Sequence, residues 1–388
     1  PVVHADALGD WNTRVGEVTV AAKLTTPQAA RTAALVQTAT FEAVNAITHR
    51  YKRRARPQAS ADASIDAAIA AANRAVLSQL VPAQQPLIET AYQAALSAIA
   101  DGNPKTHGIS VGEAAAATVL SARANDGADT VETYRPHTTP GVYVPTTLPL
   151  VPQWPARKPW AMTSAAQFRP GPPPALDSKR WASDFHESKD FGAQNSTART
   201  AEQTGIAKFW ETTNPVVYFK VVRSVVDSVG RDVTRNARLL ALAAEAIDDA
   251  LTAVFDGKYT YSFWRPITAI RNGDNDGNEA TKRDAAWLPF IETPMHPEYP
   301  CAHCTVAAAV GAVLEAETGA VPSSPLRTTS PTLPGVERKW SDYAAFVTEV
   351  SNARVWAGVH YRTSAEVGVA LGRKVGLNVA NKALRSLE

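Results

Sequence analysis

Apolar residues recur at helical spacing through both halves of the chain, with few of the alternations that a strand requires. Thr26-Pro27 reads as an N-cap followed by a first-turn proline, opening a helix over 26–50 whose Phe41, Val44 and Ile47 share a face. Ile65, Ile69, Ala72, Val76 and Leu80 form the stripe of a second helix, which Pro82 stops. A third is expected over 86–100, with Ile88, Tyr92, Ala95 and Ile99 inward and Asp101-Gly102 ending it. Ser110-x-x-Glu113 reads as a capping box before an alanine-rich fourth helix that ends near Arg123. Further on, helices are expected over 215–226, over 236–255, after Pro300, over 341–356 with a break at Gly358, and from the capping box Thr363-x-x-Glu366 to the C-terminus. No fixed-period repeat interrupts this pattern.

Between the two helical halves the texture changes. Residues 134–177 are dense in proline, with Trp154, Trp160 and Phe168 interleaved. A disordered segment is poor in aromatics, so this stretch is read as an ordered strap lying across the helices and walling a pocket. The fold class that results is all-α: an N-terminal helical bundle over 1–130, a Pro-rich strap over 131–200, and a C-terminal bundle over 201–388 that carries the chemistry.

Lys and Arg number 39 against 37 Asp and Glu, which leaves neither a nucleic-acid footprint nor an acidic tail. The apolar runs are too short or too interrupted to span a bilayer; Glu245, Asp248 and Asp249 break the longest. The chain starts at Pro1, from which export to the periplasm or medium is expected.

Three segments offer chemistry. Pro300-Cys301-Ala302-His303-Cys304 opens a helix, and helix N-termini hold oxyanions through unpaired N–H groups and a partial positive charge. A histidine in that first turn can exchange a proton with the anion. Lys258 and Arg265, seven apart, fall nearly on one face if their segment is helical, in the odd company of Tyr259, Tyr261, Phe263 and Trp264. Arg354 and His360 flank Gly358, which permits a break between them. Singly, each has a plainer explanation: a solvated cationic face, a satisfied helix-start histidine, a surface arginine. Jointly, three cations and two histidines equip a phosphate-shaped site.

Two other features point less far. Cys301-x-x-Cys304 has the spacing of a redox or metal pair, yet no second cysteine pair completes a zinc site and no βαβ pattern surrounds it. Two small buried residues or one local disulfide is the plainer reading. Asp274, Asp276 and Glu279 are spaced like a calcium loop but lack its later ligands, and read as a polar turn.

Taken in order, the three segments resemble the signature of the vanadium-dependent haloperoxidase and type 2 phosphatidic acid phosphatase superfamily: Lys-x6-Arg-Pro, then Pro-Ser-Gly-His, then Ser-Arg-x5-His-x3-Asp. The resemblance implies that Lys258, Arg265 and Arg354 bind the oxygens of vanadate, or of phosphate in its place, with Cys301 and the Ala302 N–H in the same cradle. It implies that His360 is the vanadium ligand, or the nucleophile of a phosphatase, and that His303 is the acid–base partner. Asp249 matches a helix aspartate of the fungal enzymes and would support the site from behind. His296 matches a position held by histidine in algal bromoperoxidases, which favours bromide.

The implied activity is oxidation of halide with hydrogen peroxide. A metal-free acid phosphatase working through a phosphohistidine is the alternative, and a non-catalytic oxyanion-binding or thiol-redox protein a further one. The implied partners are small molecules (peroxide and halide, or a phosphate ester), with a homodimer left open. Three departures stand out: Cys301-Ala302 replaces Ser-Gly, Ala353 replaces serine, and Ser364 replaces the closing aspartate. A thiol beside a peroxide-activating centre would be oxidised unless protected, for instance by pairing with Cys304.

Overall fold

The computed structural model describes residues 7–52, 59–60, 62–212, 214–228 and 231–384. Pro1, on which the expectation of export rests, lies outside them. Five helices come first: α1 (Ala7–Ala21), α2 (Thr26–Thr48), α3 (Ile65–Leu80), α4 (Gln85–Ser97) and α5 (Asn103–Ala122). The strap follows, and then α6 (Lys179–Gly192), α7 (Ala201–Phe209), α8 (Pro215–Val226), α9 (Val233–Tyr261), α10 (Pro266–Arg271) and α11 (Ala302–Thr318). A small antiparallel hairpin, β1 (Leu326–Thr329) and β2 (Glu337–Trp340), precedes α12 (Tyr343–Trp356) and α13 (Arg362–Lys382).

The spine is α9, whose side chains are buried almost continuously from Ala237 to Lys258. It packs against α2 on one side and against α11 and α13 on the other. Apolar residues of both halves join in one core, including Phe41 and Val44 of α2 and Leu239 and Leu242 of α9. No helix among the described residues is long and apolar enough to cross a membrane.

Several expected boundaries shift, for local reasons. The cap of α2 is Thr25 rather than Thr26; its N–H and hydroxyl both reach Gln28 Oε1. The Ser110 capping box does not form, because α5 already starts at Asn103 with Pro104 in its first turn, and Ser110 lies mid-helix. At α13 the expected box also fails: Asp184 of α6 accepts the Thr363 N–H at 3.1 Å, and Glu366 pairs instead with Arg180. Helix α6 escaped the pattern because its inward face is half polar, made of Trp181, Asp184, Phe185 and Ser188.

The strap is irregular apart from two short helical turns, and α9 holds it by three carboxylates. Asp248 takes a bidentate grip from Arg157, at 2.5 and 3.0 Å, and the indole N–H of Trp160 at 2.8 Å. Asp249 accepts the backbone N–H groups of Trp160, Ala161 and Met162. Asp256 pairs with Arg169 at 2.6 Å. Of the acids that break the apolar run of α9, Asp248 and Asp249 are therefore strap anchors, while Glu245 accepts from the Thr38 hydroxyl of α2.

Candidate active site

Helix α9 does not stop at 255. It runs through Gly257 to Tyr261, which places Lys258 in its last turn, fully buried. Ser262 then turns left-handed, with φ 46°, and Arg265 sits beyond the break as the residue capping α10. The seven-residue spacing is thus not a helical face; the turn brings the two cations together. Lys258 Nζ donates to the carbonyls of Pro297 and Glu298 at 2.9 and 2.8 Å. Arg265 donates to the carbonyls of His296 (2.9 Å) and Val359 (2.7 Å) and to His296 Nδ1 (3.0 Å).

Arg354 comes from the last turn of α12 and donates through Nη1 to the Trp210 carbonyl. Its Nε and Nη2 are buried with no hydrogen-bond partner among the described residues. Between Arg354 and His360 the chain turns at Gly358, where φ is +75° and a Cβ would lie 2.2 Å from the Gly192 carbonyl. Only glycine fits there, so the break that brings both residues inward depends on it.

The imidazoles of His303 and His360 line the same cavity, as expected, together with His296 and Ala302. The cavity holds about 180 Å³, and Leu150 of the strap, Leu251, Phe255 and Pro294 form its apolar wall. Thr26 and Pro27 of α2 and the carboxylate-bearing Glu211 complete it. The first half of the chain therefore reaches the site.

The contacts of His360 assign its tautomer. Arg265 Nη1 approaches His360 Nε2 at 3.3 Å, and a guanidinium only donates. Nε2 therefore carries the lone pair, and Nδ1–H donates to Glu298 Oε1 at 2.7 Å. His296 Nδ1 lies between a donor, Arg265 Nη2 at 3.0 Å, and an acceptor, the Pro297 carbonyl at 3.1 Å, while its ring packs against Phe255. One nitrogen of His303 is held by the Thr212 backbone, and Nε2 has no hydrogen-bond partner among the described residues. Burial first, and the nearby cations second, push all three histidines well below their ordinary range. All three are neutral at pH 7.

Burial and the charge of Arg265 likewise push Lys258 well below the usual lysine range. Burial takes Arg265 down to about 10 and Arg354 to about 9. Hydrogen bonds of these three cations run to carbonyls and imidazole rather than to carboxylates. Buried charge so arranged favours an anion. The fit to vanadate or phosphate follows from the donor set: two unpartnered nitrogens on Arg354, the first-turn amides of α11, and a lone pair at His360 Nε2.

Two expected contributors stand elsewhere. Cys301 and Cys304 form a disulfide, buried against Val355 and Ala365. Cys301 Sγ thus has no hydrogen to donate, and its N–H goes to the Ser364 carbonyl, so Cys301 is not an oxyanion donor. Asp249 binds strap amides rather than anything at the anion cradle. Burial pushes it up to about 7, against the pull of the Trp160 and Ala161 N–H groups. The acidic turn near 276 is a polar turn as expected: Asp276 is taken up by the indole of Trp181, the Thr281 hydroxyl and the Asn278 N–H. No cluster of metal-ligating side chains occurs among the described residues.

Sequence reasoning missed Glu298. Its only signal was an acid at an otherwise apolar turn, two residues before Pro300.

Residues 238–388 match the model of the VCPO second helical-bundle domain, which spans all three motifs. A curated relative, the vanadium chloroperoxidase of Curvularia inaequalis, is 30% identical over 147 residues, covering 31% of this chain. The match spans about a quarter of that protein's length (24%). Among solved structures, a bacterial vanadium-dependent iodoperoxidase superposes with a TM-score of 0.85 at 23% identity, covering 100% of this chain and 99% of that one. The holo form of a bacterial vanadium-dependent chloroperoxidase gives 0.75 at 17% identity, with 92% of each chain covered. The chain has the vanadium haloperoxidase fold over its whole length, the N-terminal bundle and strap included.

Proposed function

We propose that the protein is a vanadate-dependent haloperoxidase that oxidises halide, bromide by preference, with hydrogen peroxide. The observation that carries this reading is the meeting of His303 and His360 in one cavity, with Arg265 Nη1 3.3 Å from His360 Nε2, Arg354 the first charged neighbour of His303, and Lys258 bound to the carbonyl of Glu298, the partner of His360. Bound vanadate supplies the activation of peroxide toward halide. Lys258, Arg265 and Arg354 would hold its oxygens, with the Ala302 N–H at the start of α11, and His360 Nε2 would be its ligand. Neutral His303 holds or accepts a proton at Nε2, as an acid–base group needs. The wall of Leu150, Leu251 and Phe255 keeps water from strengthening its competition for those cations. His296, tied to Arg265 and facing the cavity, is the residue on which the preference for bromide rests.

A second reading is supported by the Glu298–His360 pair. A histidine held at Nδ1 by a carboxylate is also suited to attack phosphorus through Nε2, as a phosphatase would require. Two assays separate them. The first reading expects vanadium to be retained after dialysis against orthovanadate, and bromination of an organic acceptor by peroxide only in the loaded protein. Release of phosphate from p-nitrophenyl phosphate, blocked by vanadate and without bromination, would establish the second instead. A homodimeric assembly remains part of the proposal.

A further inference from the structure

Glu298 joins two of the residues that the proposed function uses, His360 and Lys258. Its Oε1 accepts from His360 Nδ1 at 2.7 Å and from the N–H of Tyr361, the next residue, at 3.1 Å. Its carbonyl accepts from Lys258 Nζ at 2.8 Å. The two residues before it continue the same collar: Pro297 takes Lys258 and His296 takes Arg265. Both partners of the Glu298–His360 pair are essentially inaccessible to solvent. A surface ion pair of this kind contributes little, but a buried carboxylate on one imidazole nitrogen decides which nitrogen keeps the lone pair.

Ser364, four residues after His360, stands where the superfamily pattern closes with an acid. Burial pushes the Glu298 carboxyl up to about 7, and the Ser364 hydroxyl facing it is, after Arg265, Lys258 and the Tyr361 N–H, one of the groups that oppose that rise. Neither that hydroxyl nor Glu298 Oε2 has a hydrogen bond of ordinary geometry among the described residues. The acid that the third motif lacks is therefore present, delivered to the ring from the loop before α11.

We propose that Glu298 is the positioning residue for His360: it holds the ring in the Nδ1–H tautomer with Nε2 directed at the anion, and so replaces an acid at position 364. Its carbonyl places Lys258 at the same time, which couples the ligand and one cation to a single residue. The consequence for vanadate rests on the proposed function; the tautomer does not.

The test uses the full chain labelled with [15N]histidine. In the anion-free wild type, the ring-nitrogen signals of His360, assigned by their loss in His360→Gln, are expected to show a protonated Nδ1 and an unprotonated Nε2. Glu298→Gln should mix the two tautomers and weaken orthovanadate binding, followed by calorimetry, about 10- to 100-fold, the range for loss of such a partner. Ser364→Asp placed in Glu298→Ala should recover the Nδ1–H form and at least a third of the lost affinity on a logarithmic scale. If Glu298→Gln does not fold, Glu298→Asp serves, since it keeps the charge but withdraws it by one methylene. A His360 tautomer unchanged in a folded Glu298 variant overturns the proposal. Wild type that shows the Nδ1–H form yet binds no vanadate would sink the haloperoxidase reading while leaving the positioning role supported.

Discussion

Arg354 donates Nη1 to the Trp210 carbonyl at 2.6 Å, so the loop after α7 fixes where its guanidinium points. The other edge of the guanidinium, Nε and Nη2, is buried with no hydrogen-bond partner among the described residues and is the part suited to two oxygens of a tetrahedral anion. Lysine at this position keeps the charge but loses that planar edge. Arg354→Lys is therefore expected to lower affinity for phosphate and orthovanadate about tenfold or more, since a hydrogen bond to a charged group contributes roughly 1.5–3 kcal/mol. Calorimetric titration checks this, and equal affinity in the variant contradicts it.

His303 is neutral because it is buried and because Arg354 is its strongest charged neighbour. An anion in the cradle offsets that charge and favours the protonated ring, so the His303 pKa should move upward on binding. An NMR pH titration with and without phosphate measures the shift; a downward move would exclude an anion beside it. His303→Gln should lower turnover by about 10²–10⁴ while leaving anion affinity within a few-fold, as removal of an acid–base group does.

The disulfide answers the problem that a thiol would pose beside peroxide. Alkylation under denaturing conditions should modify no cysteine before reduction and two after it. Cys304→Ser leaves Cys301 as a lone thiol at a helix N-terminus, where thiolate is favoured. That variant should lose activity in peroxide faster than the parent, with sulfinic or sulfonic acid at Cys301 by mass spectrometry. Equal survival of both proteins would mean that peroxide never reaches this sulfur.

Asp249 holds the strap, and its folded pKa of about 7 lies above the ordinary aspartate value of 3.8. A carboxyl shifted upward stabilises the fold most below its unfolded pKa, and that contribution is lost as pH rises through the folded one. Asp249→Asn sets an amide against backbone N–H donors and should destabilise the fold by about 1–3 kcal/mol. The deficit should be larger near pH 4 than near pH 8, because only the parent titrates. Thermal melts of the two proteins across that window provide the check, and a deficit that grows with pH would reverse the assignment.

Asp249 also shows how far sequence reasoning reaches. Its break in an apolar run was visible, but its three amide partners lie almost 90 residues away and share no periodicity with it. Glu298 is a sharper instance. Nothing in a linear pattern links it to His360, 62 residues on, because the pairing arises only when the 296–298 loop folds against the turn at Gly358. The expected Ser110 and Thr363 caps failed for a related reason. Capping boxes are local statements, and in one case an earlier proline, in the other an aspartate from α6, had already met the need.

By itself the sequence determined the helical class, the three motif segments and the residues that would carry charge and proton exchange, since these follow from spacing and side-chain type. Tertiary structure decided which of them act together: that Lys258 and Arg265 meet across a turn rather than along a helix, that Cys301 is tied up in a disulfide instead of donating to the anion, and that an acid from elsewhere supports His360. The physical reason is that burial and hydrogen-bond direction belong to contacts between distant segments. No stretch of chain contains them before it packs.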